Sequence, residues 1–185
     1  MKPSVILAVT AGTALLGACA ALASGGSEMS MAPGGSFPKL TASNLANETL
    51  SLPGDFAGEH NLLLIAFQRE QQKNVDTWLH QMKRFEAAPG FRYYELPTIE
   101  KLNPITRWFI NGGMRRGIPD RDARARSITL YLDKPAFRSA LDLPDEKQIY
   151  AVLVDRSGRV LWRAEGDFDE AKAASLGDFL ARGNR

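Results

Sequence analysis

The sequence predicts a layered α/β domain built on a mixed central sheet, and three stretches carry that prediction. Residues 61–67 (NLLLIAF) form an unbroken apolar run of strand length. A segment of helical periodicity follows, and then residues 91–96 (FRYYEL), a β–α–β order that makes the two strands parallel if both join one sheet. Residues 149–167 (IYAVLVDRSGRVLWRAEGD) read as an antiparallel hairpin, with β-rich arms around the turn Asp155-Arg156-Ser157-Gly158. Its glycine can take positive φ. Parallel and antiparallel pairs in one chain make the sheet mixed, and helices on its faces make three layers.

The amino terminus reads as an address. Lys2 precedes an Ala-rich apolar run from Val5 to Leu16, short for a membrane span and of the length of a signal-peptide core. Export to a bacterial periplasm is the expectation, with residues 1–23 as signal peptide and two processing routes open. Leu16-Gly17-Ala18-Cys19 resembles a lipobox, which would lipidate Cys19 and leave a membrane-anchored lipoprotein. Ala21-Leu22-Ala23 fits the small-x-small site of an ordinary signal peptidase, which would release a soluble periplasmic protein. Residues 24–39, rich in Ser, Gly, Met and Pro, read as a flexible linker, and residues 40–185 as the globular domain.

Composition narrows the function classes. A chain of 185 residues with 44% hydrophobic content suits one compact domain with appendages. A formal net charge of +2 lacks the basic excess of a nucleic-acid binder, so no nucleic-acid partner is expected. His60 and His80 stand alone and Cys19 is the chain's only cysteine, so no metal and no cofactor is expected.

Within the domain, residues 48–52 are a weak strand candidate ending at Pro53-Gly54. Val75, Trp78, Leu79, Met82 and Phe85 recur as one helical apolar stripe, which leaves His80 on the polar side, and Pro89-Gly90 ends that helix. An insertion then precedes the hairpin. Asn103-Pro104 starts a helix carrying Ile105, Trp108, Phe109 and Met114, and Gly112-Gly113 is expected to break it. Arg115, Arg116, Gly117 and Pro119 read as a charged turn, residues 127–132 (SITLYL) as a strand, and residues 134–141 as a short amphipathic helix. After the hairpin, Asp169 can cap a closing helix whose apolar side is Leu176, Phe179 and Leu180.

This succession resembles a thioredoxin-like fold of the redoxin or peroxiredoxin type. That resemblance implies a reactive cysteine after the strand at residues 61–67 and a cis-proline before the strand that begins at Tyr150. Here the loop reads Gln68-Arg69-Glu70-Gln71-Gln72-Lys73-Asn74, and Ile149-Tyr150 holds the proline's place. An amide side chain cannot stand in for a thiolate nucleophile. A further resemblance covers roughly residues 62–180. Tyr94-Glu95-Leu96-Pro97, Met114-Arg115-Arg116-Gly117-Ile118-Pro119, Thr129-Leu130-Tyr131-Leu132-Asp133, Phe137-Arg138, and Leu153-Val154-Asp155-Arg156-Ser157-Gly158-Arg159-Val160 with Trp162 are similar to the mitochondrial ATP synthase assembly factor family. It implies a redox-inactive, chaperone-like role in assembling a membrane complex with protein partners in the envelope. The alternative kept open is a redoxin-type oxidoreductase acting on peroxide or disulfides through unconventional residues; a small-ligand binding module is a third option.

The candidate partner-binding residues are Arg115, Arg116, Arg138, Trp162 and Arg163. Arg107, Arg115, Arg116, Arg121, Arg124 and Arg126 outweigh Asp120 and Asp122 locally, which suits recognition of lipid headgroups or acidic segments. A solvated surface with internal Arg–Asp pairs accounts for the same pattern. Trp162, flanked by Arg159 and Arg163, would be an aromatic anchor if its arm lay at a sheet edge, and a core residue otherwise. Catalytic residues are not expected: Glu95 and Glu100, and Asp167, Asp169 and Glu170, read as caps and solvated carboxylates.

Overall fold

The structure, a computed structural model, describes residues 34–102 and 104–182, with the backbone alone for residues 104–109. Cys19, both processing sites, the Asn103 cap and the side chains of Ile105, Trp108 and Phe109 therefore lie outside the described residues.

Among the described residues, seven strands form one mixed sheet in the order β2-β1-β5-β4-β3-β6-β7. They are β1 (Leu40–Asn44), β2 (Thr49–Leu52), β3 (His60–Ala66), β4 (Phe91–Glu100), β5 (Ile128–Leu132), β6 (Tyr150–Asp155) and β7 (Val160–Glu165). β3 and β4 are parallel, as are β4 and β5; every other pairing is antiparallel. The helices are α1 (Gln72–Leu79), α2 (Pro104–Gly117), α3 (Arg121–Arg126), α4 (Lys134–Ala140) and α5 (Glu170–Arg182). Strands of the inner sheet read as continuous apolar runs because both of their faces are covered.

Alternation along the strands divides the core in two. Leu63, Ile65, Tyr94, Leu96, Val152 and Val154 face α4, whose Phe137 packs there with Leu141, just past the helix, and Phe56. Leu62, Leu64, Phe91, Ala151 and Leu153 face α1 and α5, which contribute Val75, Trp78, Ala173, Leu176 and Leu180. Val75, Trp78, Met82 and Phe85 of the apolar stripe are buried and Leu79 partly so, but the helix bearing them stops at Leu79 and resumes as a 3₁₀ turn at Met82–Arg84. His80 is exposed.

Four differences from the sequence reading concern elements. β1 is a strand that LTASN does not announce; it is held between β2 and β5. Residues 34–39 are not free linker, for Phe37 is 2% exposed and edge-packs on Phe56 and Phe137 at 5.4 and 5.6 Å between ring centroids. α2 continues through Gly112-Gly113 to Gly117, so Arg115 and Arg116 sit in its last turn rather than in a loop. The supposed turn then contains α3, capped by the Asp120 carboxylate, which accepts from the Ala123 N–H at 2.6 Å. Tertiary contacts override weak local propensity in each case: Met114 Sδ accepts from Thr129 Oγ1 and Asn111 Oδ1 from Tyr131 Oη, which seats α2 on β5 across the glycine pair.

The hairpin matches its reading closely. Gly158 has φ of 92°, and a Cβ there would meet the Pro53 ring at 2.8 Å, so glycine is required twice over. Asp155 Oδ1 accepts from the Ser157 and Arg159 N–H groups at 2.9 and 3.0 Å and closes the turn.

Candidate functional site at the β3–α1 corner

The carboxyl end of β3, the start of α1 and the segment before β6 meet at one corner of the sheet. Gln71 organises it. Its side chain is 5% exposed; Oε1 accepts from the Phe67 and Gln68 N–H groups at 2.8 and 3.2 Å, and Nε2 donates to Glu146 O at 2.8 Å. Gln68 Nε2 reaches the same carbonyl at 3.1 Å. Two glutamine amides thus tie the β3–α1 loop to the segment before β6. That segment is braced from its other side: the Glu146 carboxylate takes Lys134 Nζ at 2.6 Å and Arg138 Nε at 3.4 Å, and Arg138 Nη1 donates to Pro144 O at 3.0 Å. Tyr150 Oη donates to Asp145 O at 3.1 Å. Ile149 is 1% exposed, and the cis peptide found among the described residues is Leu52-Pro53, whose ring lies against the β6–β7 turn at Gly158 rather than before β6.

Chemically, this corner offers amides and a tied carboxylate. Amides hold neighbouring segments in register but neither attack sulfur nor carry electrons. Cys19 precedes the described residues, and within them no cysteine occurs.

Next to the corner stands Glu95 on β4, which the sequence reading placed among solvated carboxylates. It is half-buried, and its carboxylate accepts from Ser127 Oγ at 3.3 Å and from Gln72 Nε2 at 3.4 Å. Burial pushes its pKa above the usual glutamate range; the two hydrogen bonds oppose that, Asp76 adds to it and Arg126 opposes it. The signal was available in the strand parity, since Phe91, Tyr93 and Glu95 share one face and Phe91 is buried. Asp169 does cap, accepting from the Lys172 N–H at 2.8 Å, and Glu170 pairs with Arg84 at 2.8 Å on the surface.

The candidate partner-binding residues are not brought together. Arg115 is half-buried, donating from Nε to Leu45 O at 3.0 Å and from Nη2 to Asn47 Oδ1, so it clamps α2 to the β1–β2 turn. Arg116 is exposed and has no side-chain partner among the described residues. Arg138 belongs to the Glu146 brace described above. Arg163 donates to Leu141 O at 2.9 Å and pairs with Asp142 at 3.2 Å, fastening the end of α4 to β7. Trp162 is 1% exposed, donates to Ser175 Oγ at 3.0 Å and stacks edge-on with Trp78 at 6.3 Å. It is a core residue, the second of the two roles read from the sequence, and it is not an exposed anchor: β7 is indeed an outer strand, but its α5 face is covered.

The mixed sheet with α4 on one face and α1, α2 and α5 on the other is a thioredoxin-like α/β fold. Comparison with solved structures agrees. The thioredoxin domain of a thiol-disulfide oxidoreductase from Bacteroides vulgatus matches with a TM-score of 0.51 and 18% identity, over 82% of this chain and 99% of that one. A putative electron transfer protein from Aquifex aeolicus matches with a TM-score of 0.56 and 9% identity, over 80% and 94%. BsSco, of the Sco family of cytochrome c oxidase assembly proteins, matches with a TM-score of 0.55 and 12% identity, over 80% and 95%. At such identities the likeness is one of fold. No protein-family model and no curated protein matches the sequence.

Proposed function

We propose that this chain is a thioredoxin-fold protein of the bacterial envelope that works by holding a protein partner, as an assembly factor or chaperone for a membrane complex, without thiol chemistry of its own. The observation that carries the reading is the β3–α1 corner, where Gln68 and Gln71 tie the loop to Glu146 O and no cysteine stands. A corner tied this way is suited to rigidity. The similarity of the blocks around Tyr94, Met114, Thr129 and Leu153 to the ATP synthase assembly factor family supports an assembly role. Within the same fold, the Sco family takes part in assembling cytochrome c oxidase. Exposed Arg116, free of carboxylate partners among the described residues, offers its guanidinium to an acidic partner segment.

Capture from crosslinked native membranes tests the proposal. Subunits of one envelope complex should be recovered, and Arg116→Ala should reduce that recovery while leaving the melting temperature unchanged. Recovery no different from that with an unrelated exported domain would refute it.

A further inference from the structure

β7 is an outermost strand, and among the described residues its outer edge is filled only at its start. Ser36 bridges Arg159, and the Val160 N–H donates to Gly35 O at 3.2 Å, so the segment before β1 lies along the first residues of β7. Beyond Val160 no main-chain group among the described residues pairs with the edge. The bond from the Gly166 N–H to Ile149 O at 2.9 Å fixes the parity of the β6–β7 ladder. Ala164 and Trp162, opposite Ala151 and Leu153, turn their main-chain groups inward, so Arg163 and Glu165 turn theirs outward. On that side neither residue's main chain has a partner among the described residues. Such a row of unpaired N–H and C=O groups is a template for another strand.

We propose that a second copy of this chain occupies this edge, with the two β7 strands antiparallel about a two-fold axis and the two sheets joined into one. The register follows from which groups are free. An antiparallel alignment that engages the outward groups of both residues sets each Arg163 opposite the second copy's Glu165, with the two Ala164 residues facing each other at the axis. Opposite charges directly across a ladder stabilise it, whereas a shift that sets Arg163 on Arg163 places like charges together. Arg163 is already oriented by Leu141 O and Asp142, so little side-chain freedom remains to be lost when Glu165 of the second copy approaches. Glu165 is exposed and carries no ion pair among the described residues. The contact is isologous and closes, as a two-fold interface must. It stands whether or not the β3–α1 corner has any redox activity.

Two readouts on the full chain test it, with Cys19→Ser in the background so that no native thiol interferes. In the proposed register the two Ala164 residues form a non-hydrogen-bonded antiparallel pair, close enough for a disulfide. Ala164→Cys should therefore give a covalent dimer on mild oxidation, and Leu161→Cys, far from the axis, should not. In sedimentation equilibrium the unaltered edge should show a monomer–dimer equilibrium, and Glu165→Lys should raise the dissociation constant by about tenfold or more, with an unchanged circular-dichroism melt. A chain that is monomeric at all concentrations overturns the proposal, as would the chain's own amino-terminal residues filling the edge. A dimer that ignores Glu165→Lys and leaves Ala164→Cys uncrosslinked overturns it equally, because it uses another surface.

Discussion

Glu95 and Asp169 are both carboxylates read from sequence as solvated or capping, and the structure sends them in opposite directions. Glu95 is pushed up, chiefly by burial. A raised carboxyl pKa means that the folded protein holds its proton more tightly than the unfolded chain. Its contribution is therefore most favourable in acid and is lost as pH rises through the folded value. Glu95→Gln should raise the melting temperature at pH near 7, and the gain should vanish below about pH 4, the ordinary glutamate range. Asp169 is held down, first by the Lys172 backbone N–H and then by the Lys172 ammonium. Its stabilising effect is present at neutral pH and is lost as pH falls through its folded value. Asp169→Ala should cost about 1 kcal/mol in chemical denaturation at pH 7 and less in acid. Asp169 was legible because a cap is a local device, written in neighbouring residues. Strand parity sets Glu95 on the face of buried Phe91, whereas its hydrogen-bond partners Gln72 and Ser127 approach from other elements and are not written beside it.

At the scale of elements, the β3–α1 loop acts as a clasp. Gln71 satisfies two backbone donors at the end of β3 and reaches across to Glu146 O, so its loss strands buried groups on both sides. Gln71→Ala should cost about 1–3 kcal/mol in urea unfolding and open the segment around Glu146 to limited proteolysis. The neighbouring arginines at the end of α2 should separate in the same way. Arg115→Ala should lower stability, because it frees the β1–β2 turn from α2, whereas Arg116→Ala should not. Strong periodicity made the α1 stripe, β3, β6 and α5 readable. β1 and α3 were not readable, since LTASN and RDARAR have little apolar pattern and take their form from the strands and turn they touch. The glycine pair in α2 misled for the complementary reason. Two glycines cost a helix only about 2 kcal/mol, and the contacts of Asn111 and Met114 with β5 hold α2 on either side of them.

For the whole molecule, the alternation of parallel and antiparallel pairs was legible from β–α–β and hairpin order, and with it the thioredoxin-like class. Sheet order was not, because nothing in residues 127–132 announces that β5 pairs with β1 on one side and β4 on the other. Phe37 shows the same limit: its neighbours are Gly, Ser and Pro, yet it fills a space between Phe56 and Phe137 that only the closed sheet creates. We propose that this scaffold carries no thiol chemistry, on the ground of the glutamine amides that tie the β3–α1 corner to Glu146 O. The most direct test is steady-state disulfide and peroxide reduction by the full chain, measured beside its Cys19→Ser variant. The account predicts turnover indistinguishable from buffer in both proteins. Turnover above buffer that survives Cys19→Ser would contradict it.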